Sequence, residues 1–106
     1  MKLKGSNGDH MEVSMGKVSY SGKGGGKKPV KGVTARVESG AELESRVTAT
    51  RLVLLGVFAF AAKKKTGGEK FVTIEGPDFV WAMEVDRKHA NDAVEFAAAV
   101  NNAARK

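Results

Sequence analysis

A chain of 106 residues, 42% hydrophobic and 28% charged, has the length of one domain (1–106) and the balance of a folded one, which excludes a disordered protein. It contains no cysteine, so disulfides, thiolate metal sites and cysteine nucleophiles are excluded. The formal charge of +6 is uneven: residues 1–40 hold eight bases against three acids, residues 63–70 four against one, and residues 71–106 four against six. Such an excess favours anionic partners, although lysines in this number also serve solubility alone.

In chain order, the first signal is Asn7-Gly8, a tight-turn pair between LKGS and the alternating HMEVS. KVSYSG alternates again, with Val18 and Tyr20 on one face. The next segment, GKGGGKK (22–28), has too much glycine for a regular element and reads as a basic loop. VTARVES alternates with Val33, Ala35 and Val37 facing one way, and GAELES connects it to RVTATRLVLLG, read as a strand. VFAFAAKKK suits a further strand, although its alanines leave a short helix open.

Leu52 to Ala62 is a run of eleven uncharged residues bracketed by Arg51 and Lys63. A spanning helix needs about 20 apolar residues, so the run reads as a core β segment rather than a membrane anchor. KFVTIEG and FVWAMEV then form a hairpin across GPD, with Phe79, Trp81, Met83 and Val85 on the core side. From Arg87 to Lys106 there is neither glycine nor proline. Asp86 is a candidate N-cap for a helix over 87–104, and Ala90, Ala93, Phe96, Ala97, Val100 and Ala104 make its apolar face.

The run R-V-T-A-T-R-L-x-x-x-G-x-x-A-x-A-x-K-K-K (46–65), the opening K-G-S-N-G (4–8), the strand F-V-T-I-E-G (71–76) and the helix end A-x-x-V-N-N-A-A-R (97–105) together resemble the small pleckstrin-homology-like domains of actinobacteria and their phages. The resemblance runs from about Lys4 onward. It implies an α+β, mainly β fold: a bent antiparallel β sandwich or partly open barrel of six to seven strands, capped by one C-terminal amphipathic helix. It also implies a binding module rather than a catalyst. A phage-encoded modulator that engages a protein of an actinobacterial host is the form this expectation takes, and the bacterial members share no single ligand.

Read for chemistry, the residues point the same way. His10 and His89 occur in no metal-ligand spacing and read as surface histidines. The acidic pairs Glu42/Glu44 and Glu84/Asp86 stand at connectors and strand ends, where carboxylates are solvated, and no nucleophile elbow is present. An enzyme is not expected, nor is a cofactor. The glycine-rich segment fails the nucleotide-loop pattern because Gly26-Lys27 is followed by Lys28-Pro29.

What remains is a set of candidate anion-binding lysines: Lys23, Lys27, Lys28 and Lys31, with Lys63, Lys64 and Lys65 on the same rim. This arrangement resembles, in kind, the loop lysines of lipid-binding pleckstrin-like domains, so anionic lipid or phosphate is the alternative to a protein partner. Arg36 and Tyr20 are the candidate interaction surface, and edge strands offer a route to a homo-oligomer. Nucleic acid is disfavoured, because Phe58, Phe60, Phe71, Phe79 and Trp81 lie in apolar segments rather than among the lysines. The expected location is the cytoplasm, with peripheral contact at the inner face of the membrane as its extension: MKLKGSNGDH has no apolar leader core.

Overall fold

A computed structural model describes residues 1–22, 25–39, 70–77 and 79–105. The expected strands over 46–65, the apolar run within them and Lys23, Lys63, Lys64 and Lys65 lie outside the described residues. Among the described residues, seven strands precede the helix: β1 (Lys2–Lys4), β2 (His10–Ser14), β3 (Lys17–Tyr20), β4 (Gly26–Pro29), β5 (Thr34–Glu38), β6 (Lys70–Glu75) and β7 (Val80–Val85). They form two antiparallel sheets, a four-stranded one in the order β1-β2-β3-β4 and a three-stranded one in the order β5-β6-β7. The fold is therefore mainly β, a two-sheet arrangement with one C-terminal helix and no closed barrel among the described residues.

The first sheet is a meander whose connections follow from local chemistry. Ser6, Asn7 and Gly8 form the first loop, closed by the Gly5 N–H donating to the Asp9 carbonyl at 2.8 Å, with Gly8 in the left-handed region. The tightest turn is the next one. Met15 (φ 52°) and Gly16 (φ 76°) are its only two residues, and two positive φ values are the mark of a type I′ hairpin, whose twist matches that of its strands. Pairing of Ser14 with Lys17 then fixes the register of β2 on β3.

Residues 22–28 are not all loop. Gly26 to Pro29 pair with β3, placing Gly26 opposite Tyr20, Lys27 opposite Ser19, Lys28 opposite Val18 and Pro29 opposite Lys17. Glycine and proline argue against a strand by propensity, but among the described residues β4 is an edge strand. The hydrogen-bond alternation turns Lys27 and Pro29 outward, so the missing Pro29 N–H costs no ladder bond.

One buried cluster draws on every layer: Leu3, Met11, Val13, Val18 and Tyr20 from the first sheet, Ala35, Val72, Ile74, Trp81, Met83 and Val85 from the second, and Ala93, Phe96, Ala97 and Val100 from the helix. The helix, α1 (Ala90–Ala104), packs chiefly on β5 and also touches β1, β2 and β6. Its alanines let the backbone come close, and Phe96 is the large side chain fully enclosed. A 3₁₀ turn (Arg87–His89) leads into it. Asp86 occupies the cap position of that turn, but its side chain makes no capping hydrogen bond; the Asp86 carbonyl instead accepts from the His89 N–H at 2.9 Å.

Helix and second sheet are also joined by a polar clasp. Asn101 accepts from the Ala35 N–H through Oδ1 at 2.8 Å and donates through Nδ2 to the Ala35 carbonyl at 3.0 Å. A side-chain amide thus stands where a neighbouring strand would bond.

Candidate functional site

Strand alternation sends the apolar residues of the first sheet inward and leaves its other face to polar ones. Lys2 and Lys4 of β1, Glu12 and Ser14 of β2, Lys17 of β3 and Lys27 of β4 are exposed, while Leu3, Met11, Val13, Val18 and Tyr20 are buried on the opposite side. The register sets Lys2 beside Glu12, Glu12 beside Ser19 and Ser19 beside Lys27, one row across all four strands. Three interstrand spacings of about 4.8 Å separate the backbones of the two lysines in that row. Among the described residues, four ammonium groups therefore share one sheet face with a single carboxylate, and none of the four forms an ion pair. A shallow depression of about 420 Å³ lies there, lined among others by Glu12, Ser14, Met15, Lys17, Ser19 and Lys27.

The hairpin tip borders this face. Met15 is 97% exposed on a backbone conformation that costs an L-residue about 1–2 kcal/mol. The Val30 N–H donates to the Gly16 carbonyl at 3.0 Å, bringing the end of β4 and the exposed Lys31 up to the tip.

The lysines singled out from sequence are divided by the structure. Lys27 is on the open face, and Lys31 stands in the turn after β4. Lys28 points to the other side, its Nζ 5.7 Å from the centre of the Phe79 ring. That placement suits a stem lying on apolar surface with its charge over an aromatic face. Arg36 is exposed on β5 in the second sheet, paired in register with Thr73, and belongs to neither group.

Tyr20 lies on the core side of β3, away from the lysine face. It is 6% exposed, because the register of β3 puts it opposite Met11 on the core side. Its hydroxyl donates to Asp9 Oδ2 at 2.7 Å and its ring lies 6.1 Å from that of Trp81, which in turn lies 4.5 Å from Phe79. Burial, then the hydrogen bond to Asp9 and the charge of its carboxylate, push the phenol above its ordinary range. A Cβ on Gly22 would fall 2.2 Å from the Tyr20 hydroxyl, so only glycine lets the chain cross there. Among the described residues, Asp9 Oδ1 is buried without a hydrogen-bond partner. Tyr20 and Asp9 are a structural pair closed in by backbone.

Lys2, Lys4 and Lys17 are the site residues that sequence reasoning missed. Their signal was the alternation K-L-K at the start and lysine at the head of KVSY, but only the strand register joins them to Lys27. Elsewhere the titratable groups are dispersed. His89 Nδ1 lies 3.4 Å from Asp92 Oδ2 at the exposed helix start, and the described residues hold no cluster of three metal-ligating side chains. No helix among them is long and apolar enough to cross a membrane. No family model, curated protein or solved structure matches the chain.

Proposed function

We propose that the chain is a non-enzymatic binding module that engages a protein partner of acidic surface through the open face of its four-stranded sheet. One observation carries this reading: Lys2, Lys4, Lys17 and Lys27 stand on one exposed face where, among the described residues, Glu12 is the one carboxylate to offset them. A broad charged face raises the encounter rate with an oppositely charged surface and orients it. The resemblance to pleckstrin-like domains of actinobacteria and their phages supports binding over catalysis, and contact with an actinobacterial host protein in the cytoplasm is the setting it favours.

A second reading has its own support. Met15, thrust into solvent beside Lys17, is what a tip entering the headgroup layer of an anionic bilayer needs, with lysines contributing about 1 kcal/mol each near such a surface.

The test is the variant Lys2→Glu/Lys4→Glu/Lys17→Glu/Lys27→Glu, compared with wild type in an affinity pull-down from nuclease-treated actinobacterial lysate and in sedimentation with vesicles rich in phosphatidylglycerol. A stoichiometric protein retained by wild type and lost by the variant is the expected result. A protein retained equally by both removes the lysine face from the reading. Vesicle binding that Met15→Ser abolishes, with no protein captured, transfers the function to lipid.

A further inference from the structure

Every open sheet has two outer edges, and among the described residues the four here are treated differently. On β5, the outward N–H and carbonyl of Ala35 are both taken by Asn101. On β7, the Glu84 carbonyl accepts from the Ser6 N–H at 2.9 Å and from Ser6 Oγ at 3.3 Å, while Asn7 Nδ2 reaches Glu84 Oε1 at 3.4 Å. On β4, Pro29 stands at an outward position and offers no donor.

Among the described residues, the β1 edge from Lys2 to Lys4 has none of these devices. The Met1 amino group donates to the Val13 carbonyl at 2.8 Å, the Val13 N–H to the Met1 carbonyl at 2.9 Å, and the Gly5 N–H to the Asp9 carbonyl at 2.8 Å. Antiparallel alternation then turns Leu3 toward β2 and directs the N–H and carbonyl groups of Lys2 and Lys4 away from the sheet. Among the described residues, nothing bonds them. A groove of about 390 Å³ runs along this edge, lined by Met1, Lys2, Leu3 and Lys4 and, on the helix side, by His89 and Asp92.

We propose that this edge accepts an extended acidic segment of the partner as a fifth strand of the sheet. The inference rests on the protein-binding reading above and names how that partner is held. Four outward backbone groups supply the pairing, and side-chain charge supplies the selection. Residues of the added strand opposite Lys2 and Lys4 share their exposed face, so glutamate or aspartate there forms cross-strand pairs with both lysines. The intervening residue lies beside Leu3 on the other face, toward the groove, and is apolar. A second copy of β1 fits poorly: antiparallel pairing about Leu3 sets Lys2 against Lys4, and like charges directly opposite are repulsive.

The probe is a fluorescein-labelled hexapeptide of alternating valine and glutamate, compared with a peptide of the same composition in which the glutamates form one block. Fluorescence anisotropy on the full chain should show the alternating peptide binding at least tenfold more tightly. Lys4→Pro removes the outward N–H without breaking a bond to β2 and should weaken binding at least tenfold beyond Lys4→Ala, which removes the charge alone. On wild type, amide exchange at Lys4 should slow several-fold when the alternating peptide is bound, a reading that does not depend on any variant folding.

Equal binding of the two peptides, or no change in Lys4 exchange, overturns strand addition. If such binding is also lost in Lys17→Glu/Lys27→Glu, the lysine-face reading stands without it. If neither peptide binds, both fall. A dimer of the free chain that Lys4→Pro dissociates overturns the acidic partner in favour of a second copy.

Discussion

β2 and β6 pair antiparallel with neighbours on both sides, yet they live in opposite surroundings. In β2 only Met11 and Val13 are buried, while Glu12 and Ser14 face water. In β6 the four residues Phe71, Val72, Thr73 and Ile74 are buried one after another, so both faces of that strand are enclosed. A sheet with one wet face can carry charge there at little cost to stability, and it is on that face that the lysines collect. A strand enclosed on both sides has no such freedom, because an unpaired charge in it loses its hydration without compensation.

The comparison is tested most directly by one substitution made twice. Thr73 and Ser19 both lie on the face of their strand away from the shared core cluster, but Thr73 is 0% exposed and Ser19 is half-buried beside Lys27. Thr73→Lys should cost about 4 kcal/mol or more in urea unfolding, whereas Ser19→Lys should stay within about 0.5 kcal/mol. A loss of similar size at both positions breaks the distinction between the sheets.

A smaller effect tests how the second sheet closes its edge. Asn101→Ala leaves the Ala35 N–H and carbonyl without their clasp and should cost about 1–3 kcal/mol. Amide exchange should then accelerate at Ala35 but not at Arg36, whose N–H points inward to β6 by the ladder alternation. Equal acceleration at both residues would mean that the helix holds the strand by packing alone.

The smallest effect concerns the buried face of the first sheet and depends on pH. The Tyr20 phenol is raised above its ordinary value of 10.0, first by burial and then by Asp9. Its neutral form is favoured by the fold, so its contribution is complete below pH 10 and is lost as pH rises beyond it, by at most about 1.4 kcal/mol per pH unit. Tyr20→Phe should lower stability by about 1–2 kcal/mol near neutral pH, since Asp9 loses its donor. The gap between variant and wild type should narrow above pH 10. Tyr20 is the only tyrosine, so tyrosinate absorbance reads its titration directly and should rise together with alkaline unfolding.

Much of the fold was legible because its signals are local. HMEVS, KVSY, TARVE and FVWAMEV alternate with a period of two, and the glycine-free end with its alanines and Phe96 has the period of a helix. Gly26 to Pro29 was illegible for the opposite reason. Its composition argues for a loop, and only pairing with β3 at an edge makes it a strand. Asn7-Gly8 carries the stronger local turn signal, yet it belongs to a three-residue loop, whereas the two-residue turn is at Met15-Gly16.

Of the candidate site, Lys27 and Lys31 were found as members of a basic segment. Lys28 is adjacent to Lys27 in sequence but faces the other way, because neighbouring strand residues point to opposite sides. Tyr20 stands close in sequence to lysines whose face it does not share.

By itself, then, the sequence determined where the chain alternates, where it is helical, which side of each segment is apolar, and that its charge is basic and concentrated toward the N-terminal part. Those properties depend on residues within a turn or two of one another. The tertiary structure alone decided that Lys2, Lys4, Lys17 and Lys27 meet on one face, that Tyr20 closes on Asp9, and that the β1 edge lacks the clasp given to β5. Each of these rests on strand register or on contacts between distant segments, and a shift of one residue in pairing would send every side chain of a strand to the other face.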